Sequence, residues 1–149
     1  MAIVKLNDRG VRNVSEFGSV APGSMVFIKK LTASSDGDLT FVDGASDVVL
    51  DDTYKEYLFT FKDIHPATDG AFFTFNGRDG GSSYDATKTT TFIKHFMARI
   101  IDYNNNAQPN ESYMAGYCNT TSAIDGVQFK FSSGNVDAGT IKMYGIKDS

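Results

Sequence analysis

From residue 25 onward the apolar residues of this chain fall into short runs, several of them with every second side chain apolar, punctuated by Gly, Ser, Asp and Asn. The clearest run is 126–132, where Val127, Phe129 and Phe131 alternate with Gln128 and Lys130. A period of two puts alternate side chains on opposite faces of a strand, so one face of such a run is built to be buried. Residues 54–64 repeat the pattern, with Tyr57, Phe59 and Phe61 on one side and Glu56, Leu58, Thr60 and Lys62 on the other. The residue types agree: 10 Val, 9 Ile and 13 Thr stand against 5 Leu and 3 Glu, with 12 Phe and 7 Tyr besides. Branched and aromatic side chains pack well on a pleated surface and lose rotamer freedom in a helix.

The same reading predicts strands at 25–33, 39–42, 54–64, 71–75, 89–101, 113–119, 126–132 and 140–146, with a short piece at 48–50. Ser34-Ser35-Asp36-Gly37 carries turn chemistry and predicts a hairpin between the first two strands. The glycine-rich loop at 76–83 is expected to project into solvent, and the Asn-rich stretch 104–110 is read as a loop. A helix competes only at 89–101, where Phe92, Phe96 and Ile100 recur at a spacing of four. Three successive threonines and the alternation of Phe92, Lys94, Phe96 and Ala98 favour a strand there. Short strands at intervals of about ten residues, with no helices between them, predict an all-β fold, an antiparallel β-sandwich of jelly-roll-like type. At 149 residues one core is expected. It occupies 25–149, preceded at 1–24 by an arm or edge segment that mixes charges with Gly10, Gly18, Pro22 and Gly23.

Several functions lose support on composition. With 14 Lys and Arg against 18 Asp and Glu, and no cluster of positive charge, binding to nucleic acid is not expected. No apolar run is long enough to span a bilayer, and residues 1–10 do not resemble a signal peptide, so neither membrane insertion nor signal-directed export is expected. The single cysteine, Cys118, has no partner for an internal disulfide and is read as a small buried apolar residue. His65 and His95 stand 30 residues apart without metal-ligand spacing, and there is no Gly-x-Ser-x-Gly elbow or phosphate-binding loop. Asp36, Asp38, Asp51, Asp52 and Asp79 sit at turns, where capping explains them better than calcium, and no EF-hand pattern is present. No enzyme activity, metal or cofactor is therefore expected.

Binding remains. Tyr103, Tyr113 and Tyr117 lie in or beside the Asn-rich stretch and form the candidate partner surface, since tyrosines beside amides can stack on and hydrogen-bond to a protein or a sugar. Several phrases also occur together: SMVFIKKLTA at 24–33, LTFVDG at 39–44, YKEYLF at 54–59, IHPATDG at 64–70, AGYCNTT at 115–121 and GTIKMYGIK at 139–147. Across most of the chain they resemble small virion structural proteins of tailed phages that infect marine bacteria. That group often carries a longer middle segment than this chain, in which residues 85–91 run straight into the FIKHF of 92–96. The resemblance implies a virion protein made in the bacterial host cytoplasm, either a head decoration protein or a tail fibre or adhesin component. By the same analogy it implies a homo-oligomer, with trimers favoured, contacting other virion proteins. Residues 2–23 are the part expected to touch a neighbour, being too polar for a core and too long for a mere tail. The alternative is a carbohydrate-binding module for attachment to a host surface glycan.

Overall fold

The computed structural model describes residues 24–84, 93–103, 109–119 and 122–147. The segment 1–24 therefore lies outside the described residues except for Ser24, and so do Thr89 to Thr91 and Phe92. The described chain forms eight strands: β1 (Met25–Asp36), β2 (Leu39–Val42), β3 (Glu56–Pro66), β4 (Phe73–Arg78), β5 (Ile93–Tyr103), β6 (Pro109–Asn119), β7 (Gly126–Phe131) and β8 (Val136–Ile146). All pairings are antiparallel, as expected, and residues 93–101 are strand rather than helix.

Two three-stranded sheets, ordered β1-β8-β3 and β2-β7-β4, face one another across a common core in a β-sandwich-like arrangement. The central strands carry the most deeply buried side chains. Ile141 and Met143 of β8 are fully enclosed, as is Phe41 of β2, and Val127, Phe129 and Phe131 of β7 point inward as their alternation requires. Phe129 is the hub. Its ring lies 5.3 and 5.1 Å from those of Phe59 and Phe61 on the opposite sheet, and 5.9 and 5.7 Å from those of Phe73 and Phe75 on its own. Edge-to-face and offset ring pairs of this kind add to the burial of apolar area.

Four expectations need correction. Pro109 and Asn110, read as the end of a loop, open β6. The turn after β1 does not close a hairpin: β1 pairs with β8 and β2 with β7, so the chain crosses from one sheet to the other at Gly37-Asp38. Turn chemistry reports a change of direction, while the partner of each strand is chosen by which apolar faces must meet. Residues 48–50 are not a strand but a looped segment that plugs Val48 and Leu50 into the core, held by the Leu50 N–H donating to Asp43 Oδ1 at 2.8 Å. The supposed loop 76–83 begins later, because Asn76, Gly77 and Arg78 complete β4 against β7.

One irregularity shapes the sandwich. The β3–β8 ladder shifts between Lys62 and His65, where Asp63 adopts φ 53°. Opposite it Gly139 has φ 122°, and a Cβ there would come within 2.6 Å of the Asp63 carbonyl. Only glycine fits that close approach.

Candidate functional site

Strands β5 and β6 belong to neither sheet. They pair with each other from Ile93–Asn119 to Tyr103–Pro109, forming a two-stranded ribbon. Such a ribbon at full extension is roughly 35 Å long. It meets the sandwich where the Phe96 ring lies 5.3 Å from Phe75 of β4. Phe96 also covers Gly116 directly across the ribbon, so closely that a Cβ on that glycine would come within 2.5 Å of the ring.

Directly paired residues share a face of a ladder, so the register sorts the ribbon into two sides. One carries Phe96, Ala98 and Ile100 with Ser112, Met114 and Gly116, most of them half-buried. The other carries His95, Met97, Arg99 and Ile101 with Glu111, Tyr113 and Ala115, all exposed. Met97 is 88% exposed, Tyr113 72% and Ile101 64%, three large apolar side chains standing in one surface. Beside them an open hollow is lined by His95, Phe96, Met97, Ala115 and Gly116.

Positions 103, 113 and 117, expected from the sequence to form a partner surface, pair across this ladder with Pro109, Arg99 and His95. Of the three, only the side chain of Tyr113 is among those described, and Cys118 is likewise known by its backbone alone. The Tyr113 hydroxyl donates to Glu111 Oε1 at 2.9 Å, and the Arg99 guanidinium lies 5.9 Å from the ring centroid while also donating to Glu111. The three side chains thus hold one another in place at the surface. Both charges are exposed, so this triad orients the ring more than it stabilises the fold. Met97, Arg99, Ile101 and Glu111 are surface members that the sequence reading missed. A usable signal was present: residues 96–101 carry apolar side chains on both faces, unusual for a strand with one half-buried side.

The strongest electrostatic feature of the described residues lies elsewhere. Arg78 grips Asp125 with two parallel bonds, Nε to Oδ1 and Nη2 to Oδ2, each 3.0 Å, and Asp125 Oδ1 also accepts the Gly80 N–H at 3.1 Å. Partial burial pushes the Asp125 carboxyl up, but the bonds from Arg78 and Gly80 outweigh it and leave the group below the ordinary carboxylate value. The arrangement holds two acceptor oxygens fully engaged by donors, which suits a clamp and leaves no free base or nucleophile. It ties the start of the glycine-rich loop to the irregular segment that leads into β7. Among the described residues no three His, Cys, Asp or Glu side chains gather as a metal-holding group.

The chain matches no protein-family model, no curated protein and no solved structure.

Proposed function

We propose that this chain is a phage virion structural protein, a head decoration or tail fibre component, that acts through protein–protein contacts and assembles with copies of itself. The observation that carries the reading is the β5–β6 ribbon. A lone two-stranded ribbon is marginally stable in water. Both outer edges of this one stand outside the two three-stranded sheets, and its open face presents Met97, Ile101 and Tyr113. Unpaired strand edges and a contiguous apolar face are the features by which sheet proteins join other chains.

Strand order supports the jelly-roll form of the fold. An eight-stranded jelly roll orders its sheets 1-8-3-6 and 2-7-4-5. Here 1-8-3 and 2-7-4 are kept, while strands 5 and 6 pair with each other and extend as the ribbon. Jelly rolls serve in viral shells and in lectins alike, so this support is an analogy of fold. Trimers are the favoured assembly, as the resemblance implies.

Light scattering on the full chain tests the reading. The wild type is expected to run as an oligomer at micromolar concentration, and the double variant Met97→Asp, Ile101→Asp as a monomer with an unchanged β-type circular dichroism spectrum. A wild type that stays monomeric at about 100 μM, or a variant of unchanged mass, would refute it.

The exposed Tyr113 ring beside a carboxylate favours one second reading, a glycan-binding surface. A glycan array separates the two: binding abolished by Tyr113→Ala with the oligomer intact would support the lectin.

A further inference from the structure

A second apolar surface lies on the outer face of the β1-β8-β3 sheet, away from the core. Two adjacent rows build it, Met25–Ile146–Glu56 and Phe27–Tyr144–Leu58. Met25 and Phe27 are each more than half exposed and Leu58 is 43% exposed, with Tyr144 and Ile146 half-buried between them. The Phe27 and Tyr144 rings meet edge to face at 5.6 Å. The next row is Lys30–Lys142–Thr60, so the apolar surface ends against two lysines. Nothing in the core requires these side chains: their alternation partners Ile141 and Met143 already fill it from the other face.

The position of this surface bears on what covers it. Residues 1–23 lead into the fold exactly at its rim, for the chain enters β1 through Ser24, whose carbonyl accepts the Lys147 N–H at 2.8 Å. Ser24 thus still lies in line with the ladder, beside the Met25–Ile146–Glu56 row, so the undescribed segment joins the fold next to this face. Twenty-three extended residues reach up to roughly 75 Å, about twice the width of a domain of this size. Along that length stand Ile3, Val4, Leu6, Val11, Val14, Phe17 and Val20, apolar side chains that suit an apolar face.

We infer that residues 2–23 of one copy dock on the Met25–Phe27–Leu58 face of the next copy. The inference rests on the reading that copies assemble, and adds a second contact to the one the ribbon makes. An arm given to one neighbour and a face offered to another make a head-to-tail contact, which closes into a ring when the rotation allows. A three-membered ring is the smallest such closure beyond a mutual exchange between two copies.

The test uses full-length chains in a Cys118→Ser background. Copies carrying Phe17→Cys are co-expressed with copies carrying Leu58→Cys and treated with a short bis-maleimide. A cross-linked pair containing one of each chain is expected, in an amount far above either variant alone. Leu58→Glu and, separately, Phe17→Asp are expected to lower the mass of the assembly while the circular dichroism spectrum is kept. An unchanged circular dichroism spectrum and urea midpoint for Phe17→Asp separate its effect from misfolding. A chain carrying both Phe17→Cys and Leu58→Cys is treated alongside; cross-linking within that chain but not between the mixed copies would overturn docking on a neighbour, and so would an absence of cross-link or an unchanged mass in both variants. An oligomer that falls apart on ribbon substitution but ignores these changes would sink this inference alone, whereas a wild type monomeric throughout would sink the assembly reading itself.

Discussion

Replacing Phe129 by alanine tests whether the two sheets share one core. The ring is 3% exposed and touches Phe59 and Phe61 across the sandwich as well as Phe41, Phe73 and Phe75 on its own sheet. Removing a buried Phe costs about 3–5 kcal/mol in transfer and cavity terms. Each lost ring pair adds about 0.5–1.5 kcal/mol, though not additively. With five rings meeting at one point from two sheets, neither sheet can collapse into the gap without pulling its own ladder out of register. The expected cost is therefore at the upper end, about 4–5 kcal/mol, a large share of the roughly 5–15 kcal/mol that holds an ordinary domain. At roughly 4 °C per kcal/mol for a chain of 149 residues, the melting temperature should fall by about 15–20 °C. The chain has no Trp, so unfolding in urea is best followed by far-ultraviolet circular dichroism and tyrosine emission. Phe72→Ala is the control, since that ring is 77% exposed and should cost under about 0.5 kcal/mol. A Phe129→Ala penalty below about 1 kcal/mol would refute the shared core.

Three further outcomes follow from the geometry. Gly145→Ala should destabilise by about 1–3 kcal/mol, because its Cβ would strike the Tyr54 ring, and Tyr54→Ala should recover part of that loss in a double-mutant cycle measured in urea. Asp125→Asn should lower the urea midpoint at pH 7: the ionised carboxylate is favoured in the fold, so its contribution is whole above the ordinary value of about 4 and fades as pH falls through the lowered folded value. The gap between variant and wild type should accordingly narrow below about pH 4, and a gap independent of pH would count against the clamp. Gly116→Ala should displace Phe96 from its seat against Phe75, so limited proteolysis should cut the ribbon faster while the global melting temperature moves little.

Local chemistry was enough to establish the class of fold and most of its strands. Val127, Phe129 and Phe131 are buried as their alternation demands, and Leu58 faces out as the parity of β3 requires, because a strand's period is intrinsic to the backbone and readable wherever one face is apolar. The position of the tyrosine surface was legible in part: Tyr113 is exposed, while Met97, Arg99 and Ile101, which complete its face, became visible only once the β5–β6 register set them opposite Glu111 and Tyr113.

Pairing was decided by tertiary structure alone. Ser34 to Gly37 spell a hairpin, yet β1 joins β8 more than a hundred residues away, and residues 48–50 look like a strand but serve as a plug. Turn residues specify only how the backbone bends, whereas the choice of partner depends on closing two apolar faces over one another, a condition that involves the whole chain at once. The ribbon is a partial exception: the short Asn-rich stretch between its strands suits their pairing, but nothing in residues 93–119 says that they will stand apart from both sheets, because that turns on which edges the rest of the sandwich has already filled.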